Sequence, residues 1–419
     1  MTFYNASIKT HLVDPVFDTS NFRTEFRLNP DTVYLSNMRL CNLGVTAGGA
    51  VAAGYQCLAG SLATISSIQL LDGNQLLDQL LQANLFAAFQ QYNKSNSHNV
   101  SMETFTAKNT LGYDVRVAGG VKKMATAYAN AGLDTALDTT ALGWISLGQL
   151  LPFLRAQSYV PTNVFANLRL VIEYEQTAAT ICPQIGANGP VATQQPLLIV
   201  DELTNESVKS QIMKRYKGAS WNSIEHDRVV VPEEATPANA AADHTKSLTF
   251  TVNGFDNKTV HRMLIVASPQ VAAANSNGIF GVLGSKAQHQ TAIQIRINGA
   301  NVFARSGVTN INERLARLTD SWGSCNTMTN FPGISGTDGD EVIDRDRLGE
   351  TDYFGCTIAQ SVSEMQIDFA RRIKSTFGGA NAADGNDGLR YRQALFLNIF
   401  CEVPKQLVVR DGGYNVLYA

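Results

Sequence analysis

Residues 65–79 have the sequence ISSIQLLDGNQLLDQ, in which two apolar runs flank a glycine. The first run, Ile65 to Leu71, is rich in Ile and Leu and predicts a β-strand. Asp72-Gly73 predicts a tight turn, because glycine adopts positive φ without steric cost. Beyond the turn, apolar residues recur at spacings of three and four, which predicts an amphipathic helix over residues 76–89. The residues of this helical pattern are Leu77, Leu80, Leu81, Leu85 and Phe89.

The same order of features recurs in the second half of the chain. Ile293 to Ile297 is another strand-like run, and Asn298-Gly299 is another hairpin signal. The residues from Asn310 to Trp322 then have the apolar spacing of a helix. The two turn glycines, at positions 73 and 299, lie 226 residues apart.

Two further pairs of segments indicate a duplication. Phe26–Pro30 resembles Phe250–Gly254 at an offset of 224 residues. Phe165–Leu170 resembles Ala394–Ile399 at an offset of 229 residues. Because all three offsets agree within five residues and keep their order, we predict an internal duplication into two similar β-domains.

Further strands are predicted by short runs rich in Val, Ile, Leu, Phe and Tyr between Gly, Asn, Asp and Pro. These runs are Phe26–Leu28, Val33–Leu35, Leu168–Tyr174, Leu197–Val200, Val229–Val231, Leu248–Val252, Met263–Val266 and Leu395–Val403. About eight strands in each copy, with long crossing connections, fit a sandwich of two sheets. We therefore predict an all-β fold of two tandem eight-stranded jelly rolls (a double jelly roll), with a short helix in each and long inter-strand loops.

The boundary between the two domains is predicted from composition. Ala, Thr, Pro and Gly accumulate around Cys182-Pro183 and Gly189-Pro190, a composition that is typical of loops. We therefore expect a first jelly roll over residues 1–176, a linker over 177–200 and a second jelly roll over 201–419.

The charge balance limits the classes of partner. The 419 residues carry 33 Lys and Arg against 36 Asp and Glu, so the formal net charge is −3. This balance argues against an extended nucleic-acid-binding face. Only 16% of residues are charged, against roughly 25% in average soluble domains. Because so few charges protect the open sheet edges, we expect neighbouring subunits to cover them in an obligate oligomer.

The six cysteines contain no CxxC pair, so we expect them to be reduced and mostly buried. The first residues lack a basic segment followed by an apolar run, which predicts folding in a reducing compartment without a secretory signal. The uncharged stretch Leu40–Leu71 is interrupted by several glycines, and it fits a loop better than a membrane span.

Common catalytic motifs are absent from the sequence. It contains no GxxxxGK[ST], GxSxG or HExxH pattern. No His-x-His pair supports the metal site of a cupin. All six histidines are isolated in the sequence, namely His11, His98, His226, His244, His261 and His289. His226 could serve as a general base, but a histidine at the start of a strand is the simpler interpretation. We therefore predict no catalytic, cofactor-binding or metal-binding residues.

Three charged segments leave alternatives open. The segment Asp338–Asp352 has seven carboxylates with Arg345 and Arg347 among them, and solvated or intersubunit ion pairs are favoured there over a calcium site. The same holds for Asp384–Gly388, which reads as a turn. The run Lys214–Lys217 with Trp221 nearby is interpreted as an interface with a neighbour or an acidic partner, rather than as a platform for single-stranded nucleic acid.

Several of these segments also resemble a known family, the double jelly-roll major capsid proteins. Ile65–Gln79 with the helix after it is similar to the family's first-domain signature, and Trp144–Phe153 followed by Phe165–Glu173 is similar to the end of its first domain. Leu395–Phe400 and Val408–Val416 are similar to the closing strands of its second domain. The length is closer to small members, such as those of tailless phages, virophages and polinton-like viruses.

The resemblance implies a structural virion protein without a cofactor. Three chains would form a homotrimer, a pseudo-hexagonal capsomer that tiles an icosahedral capsid assembled inside the host cell. The implied partners are neighbouring capsomers and minor capsid or penton proteins, and an internal membrane or membrane-associated virion proteins stay open; no specific nucleic-acid binding is expected. The alternatives are a minor capsid, penton or receptor- or glycan-binding spike protein, and a cupin-like β-sandwich enzyme.

Overall fold

The structure of the protein is a computed structural model. It describes residues 7–16, 22–43, 65–92, 115–117, 120–122, 143–175, 196–232, 244–269, 290–304, 307–309, 311–323, 353–373, 394–410 and 413–418. Four α-helices lie in these ranges: α1 (Ala83–Tyr92), α2 (Pro152–Arg155), α3 (Glu206–Arg215) and α4 (Ile311–Trp322).

Most of the described chain is β-strand. The strands of the first half are β1 (Ile8–Val13), β2 (Arg23–Arg27), β3 (Val33–Leu35), β4 (Arg39–Leu43), β5 (Ile65–Asp72), β6 (Gln75–Leu81), β7 (Val115–Val117), β8 (Gly120–Lys122), β9 (Gly143–Ser146), β10 (Tyr159–Pro161), β11 (Leu168–Tyr174) and β12 (Leu197–Leu203). Those of the second half are β13 (Gly218–Val231), β14 (His244–Val252), β15 (Lys258–Pro269), β16 (Gln290–Ile297), β17 (Ala300–Asn301), β18 (Tyr353–Val362), β19 (Met365–Ile373), β20 (Leu395–Arg410) and β21 (Gly413–Tyr418).

The first half is a sandwich of two antiparallel sheets. One sheet has the order β2-β11-β5-β6. The other has the order β10-β3-β12-β4-β9, with β1 paired to β12. Side chains from both sheets, such as Phe26, Ile172, Leu40 and Leu198, belong to one buried apolar cluster. The burial of this apolar surface is the main force that holds the two sheets together.

The second half repeats this design. One sheet has the order β14-β19-β16-β17, and the other has the order β13-β20-β15-β18 with β21 paired to β20. Ile295, Ile367, Met263 and Ile399 contribute to its buried cluster from both sheets.

The sheet orders confirm two of the three segment pairs that indicate the duplication. The strands β2, β11, β5 and β6 occupy the places of β14, β19, β16 and β17. Phe26 and Phe250 therefore lie on equivalent strands of the two halves, and the hairpins at Gly73 and Gly299 are equivalent as well. Both turns require left-handed backbone, with φ of +57° at Gly73 and +80° at Gly299, a region that glycine enters without penalty.

The third segment pair is wrong. By sheet position, β11 corresponds to β19, whereas β20 lies in the other sheet and corresponds to β12. The predicted domain boundary also differs from the structure. Leu197–Leu203 pairs with β1, β3 and β4 of the first sandwich. A linker over 177–200 and a second domain from 201 would divide this strand. The Ala- and Pro-rich segment before it connects two strands of one sandwich, and its composition resembles that of an interdomain linker.

The predicted helix over 76–89 is partly wrong. Residues 75–81 form β6, and the helix α1 begins only at Ala83. A register shift pairs Leu71 with Leu76 but Leu70 with Asp78. Because this bulge breaks the alternation of the strand, Leu77 and Leu80 are both buried at a spacing of three, which imitates a helix. The second predicted helix is confirmed as α4.

Gly355 allows α4 to pack closely on β18. A Cβ atom at this position would lie 2.5 Å from Leu318 Cδ1 and 2.8 Å from Trp322 Cδ1. We expect Gly355→Ala to lower the free energy of unfolding by about 1–3 kcal/mol, because the helix must move away from the sheet. Urea denaturation measures the change. Gly413→Ala is the matched control, since a Cβ there meets nothing within 4 Å; equal effects of the two substitutions would contradict this packing.

Candidate functional site

The sheet β13-β20-β15-β18 is buried on both faces. Met263 and Cys401 belong to the core of the second sandwich, whereas their chain neighbours Leu264 and Phe400 belong to the cluster of the first sandwich. Alternate residues of a strand point to opposite faces, so this sheet joins the two halves. This sheet and the helix α4 together pack against the first half of the chain. We call this contact the seam. Burial on both faces also explains why Leu395–Val403 is a nearly continuous apolar run.

Aromatic side chains from both halves meet at the seam. The ring centroid of Phe86 in α1 lies 5.3 Å from that of Phe400 and 5.9 Å from that of Trp322. Phe89 meets Trp322 edge to face at 5.7 Å. The helices α1 and α4, which each follow the corresponding hairpin of their half, therefore contact each other through these rings. Edge-to-face pairs add a geometric preference to the area that they bury.

Trp322 is held in place by polar contacts. Its Nε1 donates a hydrogen bond to the carbonyl oxygen of Met263 at 3.0 Å. The guanidinium of Arg262 stacks 4.1 Å from the ring centroid, and its Nη2 donates to Glu402 Oε1 at 3.0 Å. Arg262 Nη1 also donates to the carbonyl oxygen of Ser321. These contacts fix the end of α4 against the joining sheet.

A buried carboxyl group connects the halves directly. Asp78 in β6 has no solvent exposure. Its Oδ1 accepts a hydrogen bond from Ser223 Oγ of β13 at 2.7 Å, and its Oδ2 accepts one from Phe153 N at 2.8 Å. Burial raises the pKa of Asp78 above its ordinary value, although these hydrogen bonds oppose the shift. Phe153 and Trp221 pack edge to face beside this group, with ring centroids 5.0 Å apart.

The last strand, β21, contacts the first half of the chain. Tyr414 Oη donates to Asp72 Oδ2 in the hairpin of the first half at 2.8 Å. The ring of Tyr414 also packs edge to face against Phe165 at 5.2 Å. The start of β21, and the end of β20 that pairs with it, are therefore part of the seam.

A charged network lies where β13, β15, β20 and β21 meet. Glu225, which is buried, pairs with Lys258 Nζ at 2.6 Å and with Lys405 Nζ at 2.9 Å. Tyr418 Oη donates to Glu225 Oε1 at 3.0 Å. Burial alone would raise the pKa of Glu225, but the two lysines together lower it below its ordinary value. Burial and the neighbouring carboxylate raise the pKa of Tyr418 to about 12.

The network predicts a pH dependence of stability. Because the pKa of Glu225 is lowered on folding, its contribution is complete above the unfolded pKa of about 4.3 and is lost as the pH falls through the lower folded value. Glu225→Gln keeps one acceptor but removes the charge, so we expect a loss of about 1.5–3 kcal/mol at neutral pH. Thermal unfolding of both proteins from neutral to acid pH measures the difference, which should shrink as the pH falls. A constant difference would contradict the assigned ion pairs.

Three strands that pair on one side only expose apolar side chains: β1, β13 and β21, the last through Leu417. In β1 and the residues after it, Ile8, Leu12 and Val16 are 53%, 63% and 51% exposed. β13 lies at the end of its sheet order and exposes Val230. Edge strands with apolar side chains pair readily with other chains unless they are covered. These edges are the candidate surfaces for contact between subunits.

His226, the candidate general base, lies in a packed environment. His226 Nε2 lies 3.2 Å from Asn398 Oδ1, and its ring packs on Phe400. Burial lowers the pKa of His226 to about 4, so it is neutral near pH 7. The geometry fits the simpler interpretation of a structural strand residue.

Only some of the cysteines and charged segments singled out in the sequence lie within the described residues. Cys41, Cys356 and Cys401 are free and buried as expected, and the other three cysteines lie outside the described residues. So do both acidic segments, Asp338–Asp352 and Asp384–Gly388. The described residues contain no group of His, Cys, Asp and Glu side chains arranged to hold a metal ion. None of the helices in the described ranges is long and apolar enough to cross a membrane.

Comparison with solved structures reveals the same arrangement elsewhere. The chain superimposes on a chain of the Sputnik virophage with a TM-score of 0.59 at 9% identity, covering 100% of this chain and 90% of that one. The PBCV-1 capsid gives a TM-score of 0.55 at 13% identity, with coverage of 100% and 98%. The mavirus major capsid protein gives 0.52 at 10% identity, with coverage of 99% and 90%. All three are double jelly-roll proteins.

This chain has the double jelly-roll fold. The resemblance drawn from the sequence is therefore confirmed at the level of the fold. No family model matches the sequence, and no curated protein matches it. In this double jelly roll, the seam is the contact that holds the two jelly rolls together.

Proposed function

We propose that this double jelly roll is the major capsid protein of an icosahedral virus. The observation that carries the proposal is the superposition of both halves, over nearly the whole chain, on capsid proteins of the same fold. In this role it acts by assembly, and none of the described residues is assigned a catalytic, cofactor-binding or metal-binding part.

The seam supports this role. Three copies of a rigid pair of jelly rolls present six similar blocks around a threefold axis, which is the shape of a pseudo-hexagonal capsomer. The buried cluster of the first sandwich includes Trp221, Ile224, Leu264 and Phe400 from the second. A contact of this kind resembles a permanent interface rather than a mobile domain contact.

The surface also suits assembly. The exposed side chains of Ile8 and Leu12 on the edge strand β1, and of Val16 just after it, would be covered by a neighbouring subunit. A net charge of −3 allows many copies to approach without strong self-repulsion. The protein would reside in the virion, contact neighbouring capsomers and minor capsid or penton proteins, and assemble inside the host cell.

Light scattering after size-exclusion chromatography tests the proposal. We expect a homotrimer, with a mass of three times the 45.4 kDa of the chain. A stable monomer at every concentration would contradict the capsomer and would favour a different role for the fold.

A further inference from the structure

A pocket opens at the seam, between the two jelly rolls. Its volume is about 460 Å³, which lies within the range of small-molecule sites, about 300–1,000 Å³. Phe86, Phe89 and Leu154 of the first half line it together with Ile224 and Trp322 of the second. A molecule bound in this pocket would therefore contact both jelly rolls at once.

The floor of the pocket is apolar and held in place. Phe86, Phe89, Leu154 and Ile224 are almost fully buried. The ring plane of Trp322 makes an angle of 72° with that of Phe86 and of 86° with that of Phe89. These rings form no parallel pair, so they offer no slot in which a flat ring could stack on both sides. A flexible alkyl chain follows such a rounded apolar surface better, and its burial is favourable.

The mouth of the pocket carries one positive charge that is not balanced by the described residues. Arg155 and Arg262 both line the pocket, and none of the described lining residues is acidic. Arg262 is neutralised by its ion pair with Glu402. Arg155, the last residue of α2, is exposed, and no carboxylate of the described ranges lies at ion-pair distance from it. The charge of Arg155 is therefore available to a ligand.

We propose that the seam pocket binds a single-chain carboxylate, a medium-chain fatty acid, with its alkyl chain on the aromatic floor and its head group on Arg155. A guanidinium can donate two parallel hydrogen bonds to one carboxylate, which selects this head group by geometry as well as by charge. One unbalanced cation also matches one negative charge. The inference goes beyond the proposed function, because a single chain binds this ligand without assembly of a shell.

Other anionic ligands fit the pocket less well. A nucleotide carries two or more negative charges against one unbalanced cation, and its base would find no pair of parallel rings. Attachment to an anionic lipid surface typically uses about 4–8 clustered Lys and Arg residues, whereas two arginines are found among the described lining residues.

Isothermal titration calorimetry with the purified full-length chain tests the site. The probes are dodecanoate, kept below its critical micelle concentration, and dodecanol, which has the same chain and an uncharged head. We expect one dodecanoate per chain and about tenfold weaker binding of dodecanol. Arg155→Gln should weaken dodecanoate binding about tenfold and leave dodecanol binding unchanged, and Arg155→Lys should restore most of the loss. Because Arg155 is exposed, both variants should fold.

Fluorescence quenching locates the alkyl chain. Bromine quenches tryptophan fluorescence on contact, so 12-bromododecanoate should quench the unmodified chain. Trp322 is one of three tryptophans in the sequence, and it is the one that lines this pocket. Trp322→Phe should therefore remove most of the quenching.

Lys214→Gln is the matched control, because Lys214 is an exposed cation of α3 that does not line the pocket. It should bind dodecanoate as the unmodified chain does. The proposal would be overturned by equal affinity for dodecanoate and dodecanol, by unchanged dodecanoate binding in Arg155→Gln, by undiminished quenching in Trp322→Phe, or by no binding at all. Binding to phosphatidylglycerol vesicles without binding of free dodecanoate would also overturn it, since the carboxylate would then not be the ligand.

Discussion

Gly218→Ala is expected to lower the free energy of unfolding by about 3–5 kcal/mol. Gly218 begins β13 with φ of +113°, a left-handed conformation in which a side chain is strained. A Cβ atom would lie only 1.8 Å from the carbonyl oxygen of Leu407, so β13 and β20 must separate where they enter the seam. Urea denaturation followed by tryptophan fluorescence measures the loss, because Trp221 lies three residues away in the same strand.

Gly73→Ala is the matched control for this experiment. Gly73 also has positive φ, at +57°, but a Cβ there would meet no atom within 4 Å. Its cost should be limited to the local backbone penalty of about 1–2 kcal/mol. If both substitutions cost the same, the close approach of β13 to β20 at Gly218 is not as described.

Asp78→Ala is expected to cost about 3 kcal/mol. The substitution leaves the backbone N–H of Phe153 and the hydroxyl of Ser223 without their acceptor in a buried place, and each unsatisfied group costs about 1–3 kcal/mol. Release of the desolvated carboxyl offsets part of this cost. Thermal and urea unfolding provide the measurement.

Asp78→Asn separates the hydrogen bonds from the charge. The amide can accept from Phe153 N and donate to Ser223 Oγ, so we expect a change within about 1 kcal/mol at neutral pH. Because the pKa of Asp78 is raised on folding, the folded state takes up its proton first as the pH falls. The unmodified chain should therefore gain stability relative to Asp78→Asn as the pH falls towards the ordinary pKa of about 3.9. A relative loss on acidification would contradict the buried position of this carboxyl.

Strand positions could be predicted from the sequence wherever a single apolar run forms a single strand without a bulge. Val33–Leu35 and Leu168–Tyr174 agree with β3 and β11 residue for residue. The fold class and the duplication followed from such runs and from the two glycine hairpins. The helix prediction failed where a bulge in β6 changed the spacing of buried residues from two to three. The boundary failed because composition does not distinguish a connection within a sandwich from one between sandwiches.

The seam was not predictable in the same way, because its residues are distant in sequence. Asp78 and Ser223 are 145 positions apart, and only the pairing of the halves brings them together. A signal for some of these residues is present, since Asp78 and Lys405 are charged residues inside strongly apolar stretches. Such a residue indicates a buried polar contact, but the sequence does not identify its partner.

The central claim is that the paired jelly rolls of each chain form two of the six blocks of a threefold capsomer. Negative-stain electron microscopy of the purified protein tests it most directly. We expect uniform particles with a hexagonal outline and threefold symmetry. Single elongated particles, or rings of any other symmetry, would contradict it.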